Sequence, residues 1–323
     1  MNLAKRLAPL ALVPAAALVL SGCSAPAGEA ASEPTGIQIV ASTNVYGSIA
    51  ETIGGDSVTV TSIIDSAAQD PHSYEASAQD QLAISKADVV IENGGGYDPF
   101  IDTLVGAAGS DTLETVNVVD LSGRAPVDEA HDEGDGHEHE EGDEHDHVEG
   151  LNEHVWYDLA AADMLASALT QTFSHLDEAN AATYAENYAT FSAEIATLTD
   201  ATAAIKADVD GTGVAITEPV PLYLLEASGL VNLTPDAFSE AIEEGTDVSP
   251  SSLNDLLDLI GSGDVALLAY NEQTSSPETE RVREAAEKES VPVVSFAETL
   301  PDGKDYVSWM TDNIAAISDA LAP

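Results

Sequence analysis

Five histidines, His131, His137, His139, His145 and His147, stand among acidic residues and glycines in the run PVDEAHDEGDGHEHEEGDEHDHVEG, from Pro126 to Gly150, which has no Lys or Arg. Imidazole and carboxylate are ligands for divalent cations, and a polar strand carrying many of both can hold such ions loosely. Asp, Glu and Gly alone would make a solvated linker. The histidines ask for a further reason, because five of the chain's eight fall in this one segment. Residues 127–149 therefore read as an accessory metal-collecting loop.

Three histidines lie elsewhere. His72, in QDPHSYEAS, follows an apolar strand-like run and sits beside an Asp-Pro pair that favours a turn. His154, in NEHVWYD, stands at the exit of the acidic loop. Both are placed where an open α/β sheet exposes ligands, at loops following strands. His175 lies between Phe173 and Leu176 in a helical pattern and reads as a partly exposed helix residue. Trp156 is expected to pack near His154 in a core role.

The elements that must position these residues alternate. Strand-like runs IQIVAST (37–43), VTVTSII (58–64), ADVVIEN (87–93) and ETVNVVD (114–120) are separated by helical stretches, the signature of a mostly parallel sheet. From about Val155 to Val209 the apolar positions recur at helical spacing, with a break near Asp177 to Asn180. The second helix is too long for an ordinary globular one, and its heptads are not sustained as a coiled coil requires. A second alternating unit follows: GVAITE (213–218), a helix through LYLLEASG, an acidic segment, the helix SLNDLLDLI, the strand VALLAY (265–270), a helix over 278–289, the strand VPVVSF and a final helix over 306–321. The expected architecture is α/β with two lobes, each a mostly parallel sheet flanked by helices, joined by a long rigid linker helix. The corresponding boundaries are 37–176 for the first lobe, 177–210 for the linker helix and 211–323 for the second lobe.

The chain begins with Lys5 and Arg6, an apolar run and LSGC ending at Cys23. This reads as a lipoprotein signal peptide over 1–22, cleaved before Cys23, whose thiol is acylated; its apolar stretch is short for a membrane span. Residues 23–36 read as a flexible tether. Cys23 is the one cysteine, so no disulfide, thiolate metal site or Cys nucleophile is available to the exported part. The 58 acidic against 9 basic residues, a formal charge of −49, oppose nucleic acid and anionic lipid headgroups as partners and attract cations. Adaptation to a salty environment would leave the same charge. No GxxxxGK[ST] phosphate loop and no HExxH motif occurs.

With these pieces in view the chain resembles the metal-binding lipoproteins of zinc and manganese ABC transporters, over about Ile37 to Leu321. The resemblance is carried by ASTNVYGSIAETIGGD, DPHSYEAS, ADVVIENGGGYDPFIDTLV, the His-rich insertion before NEHVWYD, the SGL turn at 228–230, DVSPSSLNDLLDLI and VPVVSFAETLPDGKDYVSWMTDNI. It implies that His72, His154, Glu218 and Glu298 are the metal ligands. Glu218 stands where many zinc-type members have His and many manganese-type members Glu, and Glu298 where the last carboxylate is usually Asp. On local sequence alone, Glu218 also fits a helix start beside Pro219, and Glu298 a surface residue before a turn. Asn44, Tyr46, Glu92 and Asn93 are expected as outer residues that orient the ligands.

Two imidazoles and two carboxylates suit Zn²⁺ or Mn²⁺. The His-rich insertion tips the expectation to Zn²⁺ as transported ligand, while Glu218 pulls toward Mn²⁺. The resemblance implies a binder, not an enzyme, that captures the ion in the interlobe cleft. It would deliver the ion to an ABC permease driven by a cytoplasmic ATPase, as a monomer held by lipid at the extracytoplasmic membrane face. An adhesin or extracellular zinc-buffering lipoprotein is the alternative outside transport.

Overall fold

The computed structural model describes residues 36–124 and 150–322. The signal peptide, Cys23, most of the tether and the five histidines of the acidic loop lie outside the described residues. The first lobe runs β1 (Ile37–Thr43), α1 (Asn44–Gly54), β2 (Val58–Ile64), α2 (Ala78–Ile84), β3 (Val89–Glu92), α3 (Pro99–Ala108), β4 (Glu114–Asn117) and α4 (Val118–Ser122). Two helices follow the acidic loop, α5 (Leu159–Leu176) and α6 (Ala181–Val209). The second lobe runs β5 (Thr212–Ile216), α7 (Leu222–Ala227), β6 (Leu230–Asn232), α8 (Asp236–Glu243), α9 (Pro250–Ser262), β7 (Leu268–Asn271), α10 (Pro277–Glu289), β8 (Val293–Phe296) and α11 (Tyr306–Ala320).

Each lobe has a four-stranded, all-parallel sheet, in the orders β2-β1-β3-β4 and β6-β5-β7-β8. Central β1 is covered on both faces and is buried along nearly its whole length, as the inner strand of a parallel sheet is, whereas edge strand β2 alternates Val with Thr and is half exposed. Ile39 of β1 pairs with Val60 on one side and Val89 on the other. In both lobes the chain crosses to the opposite side of the first strand after the second, which opens a crevice at the C-terminal strand ends.

The 29 residues of α6 span about 43 Å at 1.5 Å per residue. Tyr184, Phe191, Ile195 and Leu198 form its buried stripe. That stripe packs on α1 and α5 and on α7 and α11, so one hydrophobic cluster runs through both lobes. The break before α6 is held by Asp177, whose carboxylate accepts from Asn180 Nδ2 (2.6 Å) and the Tyr184 hydroxyl (2.9 Å).

Local chemistry shifts some expected bounds. β4 stops at Asn117 rather than Asp120 because the Asn117 side chain accepts from Asp120 N and starts α4. The strand expected over 265–270 is regular over Leu268–Asn271, although Ala266 N and Leu267 O already bond to β5. Three-residue β6 was not foreseen, being too short to show alternation. His175 is exposed in the last turn of α5. Among the described residues no helix is long and apolar enough to cross a membrane.

Candidate metal centre

Loops following the strands of both sheets, with the end of α8, line one cavity of about 740 Å³. Its described lining holds His72, Glu218, Glu243 and Glu298 and no Lys or Arg.

His72 sits in a single 3₁₀ turn, Pro71–Ser73, started by the proline and capped by Asp70, whose carboxylate accepts from His72 N (3.0 Å) and Ser73 Oγ (2.8 Å). Its ring stands edge-on to Tyr97, centroids 4.9 Å apart. Burial lowers its pKa, against the raising pull of Glu243, so the ring favours the neutral form that can donate a lone pair.

His154 is fully buried. Its backbone N (3.1 Å) and its Nδ1 (2.8 Å) both point at Asn152 Oδ1. An amide oxygen only accepts, so Nδ1 carries hydrogen and Nε2 is left to face Glu243 Oε1, 3.2 Å away. Asn152 is itself fixed: its Nδ2 donates to Pro219 O (3.0 Å) and its carbonyl accepts from the Tyr223 hydroxyl (2.7 Å). Trp156 packs against the imidazole with centroids 5.1 Å apart. Burial alone would lower the His154 pKa, but the carboxylates of Glu243, Glu153 and Glu298 overcome it and raise the value to about 9.

Glu218 follows β5 and is buried; its Oε2 accepts from Asn271 Nδ2 (2.6 Å) and its Oε1 from the Thr274 hydroxyl. Burial, with Glu243 adding repulsion, pushes its pKa up to about 8. Glu298 follows β8; its Oε1 accepts from the same Asn271 Nδ2 (2.8 Å) and its Oε2 from the Tyr97 hydroxyl (3.2 Å). Burial also raises the Glu298 pKa, partly offset by His154. Asn271, at the end of β7, thus bridges two buried carboxylates with one amide.

One ligand atom each from His72, His154 and Glu298 lie within 4.8 Å of one another, as do ligand atoms of His72, Glu153 and Glu243. Glu218 lines the same cavity and is tied to Glu298 through Asn271, but belongs to neither of these close groups. Glu243 Oε1 lies 3.2 Å from His154 Nε2 and 3.6 Å from His72 Nε2. Sequence reasoning missed Glu243, Glu153, Asn152 and Asn271. Glu153 and Asn152 adjoin His154 and could have been suspected; Glu243 sits in an acidic segment where nothing local marks it out.

The four expected outer residues bond as follows. Asn44 exchanges two hydrogen bonds with the Leu300 backbone, Nδ2 to O at 3.0 Å and N to Oδ1 at 2.8 Å, which joins the lobes. The Tyr46 hydroxyl donates to Asn93 Oδ1, and Asn93 Nδ2 donates to Glu153 O (3.0 Å), steadying the chain just before His154. Glu92 accepts from Asn117 Nδ2 (3.0 Å) at the neighbouring strand end.

Residues 39–320 match the family model described as ZnuA, zinc-uptake complex component A, periplasmic. The chain belongs to this family. Its members are metal-binding substrate-binding components of ABC transporters, which act with a permease and ATPase and are not enzymes. The manganese ABC transporter substrate-binding lipoprotein scaA of Streptococcus gordonii is 25% identical over 317 residues, 94% of each chain. A crystal structure of ZnuA superposes with a TM-score of 0.67 at 19% identity, covering 89% of this chain and all of that one. The laminin-binding adhesin Lmb from Streptococcus agalactiae gives 0.69 at 19% identity, with 89% and 100% coverage. At such identities these two likenesses concern the fold alone.

Proposed function

We propose that this protein is the receptor of a divalent transition-metal uptake system, holding the ion with His72, His154, Glu218 and Glu298. The observation that carries the reading is the convergence of two imidazoles and Glu298 within 4.8 Å, beside further carboxylates and without a basic residue in the described cavity lining. A dication compensates such a donor set, and its binding releases the protons that burial favours on Glu218 and that the carboxylates favour on His154. A lipid on Cys23 would hold the monomer at the extracytoplasmic membrane face, next to its permease.

Manganese is the first reading for the cargo. The cleft is richer in carboxylate oxygen than in imidazole, which suits Mn²⁺, and scaA is named for manganese. Zinc is the second reading, favoured by the His-rich segment 127–149 and compatible with the same donors. Competitive binding of Mn²⁺ and Zn²⁺ to the chain with 127–149 deleted, followed by native mass spectrometry and calorimetry, separates them. One Mn²⁺ held against physiological Zn²⁺ supports the first reading, and one Zn²⁺ displacing it supports the second. Failure to retain either ion, or retention by a His154→Ala variant, overturns the proposal.

A further inference from the structure

Glu243 is the last residue of α8, and the segment from Ala241 to Val248 forms a wall of the cavity. Its side chain is about nine-tenths covered, and its Oε1 approaches both imidazoles at Nε2, at 3.2 Å from His154 and 3.6 Å from His72. The arrangement at His154 is chemically specific. Nδ1 is committed as a donor to Asn152, so a neutral His154 presents a bare lone pair at Nε2 to a carboxylate oxygen that also only accepts. Two such acceptors rest at this distance only with a cation, a proton or a metal ion, between them. Donor atoms held about 2.0–2.2 Å from a common ion are spaced about 3–3.5 Å apart in tetrahedral or octahedral coordination. The 3.2 Å separation has that spacing and the 3.6 Å one is just wider; His72 is common to the close group with His154 and Glu298 and to the one with Glu153 and Glu243.

Resting on the metal-receptor reading above, we infer that Glu243 is a further direct ligand of the transported ion, supplied by α8 rather than by a strand-end loop. The strand-end donors are anchored: Glu298 and Glu218 by Asn271, His154 by Asn152, His72 by its capped turn. Glu243 instead sits at a helix end followed by Gly245 at φ +62°, with exposed residues from Glu244 to Asp247. It closes the ion off from the cavity, and its withdrawal is the step that lets the ion leave. Its main contribution is therefore to retention.

The test uses the full chain in detergent, loaded with substoichiometric Mn²⁺ or Zn²⁺, comparing wild type with Glu243→Gln and Glu243→Asp. Glu240→Gln, one turn earlier and exposed, controls for the loss of a charge. Metal dissociation is followed by a chelator chase, and coordination by X-ray absorption. Glu243→Gln should release the ion at least 10–100-fold faster, the loss typical of removing even an outer partner of a ligand, and should lose one oxygen neighbour. Glu243→Asp should fall between, and Glu240→Gln should behave as wild type. Unchanged release and an unchanged absorption spectrum in Glu243→Gln, with wild type still binding one ion through His154, would overturn the role of Glu243 and leave the receptor reading standing. Wild type without a tight site would overturn both. Circular dichroism of each variant separates misfolding from ligand loss, and Glu243→Asp carries the test if Glu243→Gln misfolds.

Discussion

Asn271→Leu removes one amide and disturbs two carboxylates at once. Asn271 Nδ2 donates to Glu218 Oε2 at 2.6 Å and to Glu298 Oε1 at 2.8 Å, all three residues being buried. A hydrogen bond to a charged group contributes about 1.5–3 kcal/mol. Burial shifts both carboxylates toward the neutral form, so the low end applies, and two bonds give about 3 kcal/mol of lost stability, a fall in Tm of roughly 5–10 °C. The effect on the ion is separate. Without the bridge both carboxylates can turn away from the position they hold now, and losing such an outer partner costs about 10–100-fold in metal affinity, or about 1.4–2.7 kcal/mol. Thermal unfolding of the metal-free protein reads the first quantity, and a chelator-competition titration far below Tm reads the second. Affinity within about twofold of wild type, despite a lowered Tm, would refute the claim that Asn271 organises the donors.

Metal-free stability should fall as pH rises from about 5 to 9. Asp98, Glu218 and His154 have folded-state values raised to about 6, 8 and 9, above 3.8, 4.5 and 6.5, so the folded chain binds more protons across this window. Bound metal should flatten the profile by replacing the protons on Glu218 and His154, whereas a Tm that climbs toward pH 9 without metal would contradict the assigned directions. Trp156→Ala should cost about 3–5 kcal/mol in chemical denaturation, because Trp156 is fully buried against His154, Tyr97 and Tyr157; a loss under about 1 kcal/mol would show that these rings repack around the gap. Deleting 127–149 should slow capture in stopped-flow mixing at low metal while leaving equilibrium affinity of the cleft unchanged. Loss of the tight site on that deletion would sink the accessory role.

Patterns set by backbone periodicity were legible in the chain. The alternation of IQIVAST and VTVTSII with helical stretches specified parallel α/β lobes, because parallel neighbours need a crossover connection between them and a helix supplies it. The helical spacing of Tyr184, Phe191, Ile195 and Leu198 specified the long helix. His72 and His154 stood out because few histidines lie outside the acidic loop and both adjoin strand or loop ends. Glu218 and Glu298 were reached only through a resemblance, since a single Glu among 58 acidic residues has no local mark. What tertiary structure alone decided is which distant groups meet. Asn271 lies 53 residues from Glu218 and 27 from Glu298 and bonds both; Tyr97 reaches Glu298 across 201 residues. Glu243 reaches the two imidazoles from a helix end. Periodicity reports which face of an element is buried, whereas a site is made by strand ends and a helix end that converge only after the sheets have formed and α6 has packed against both lobes.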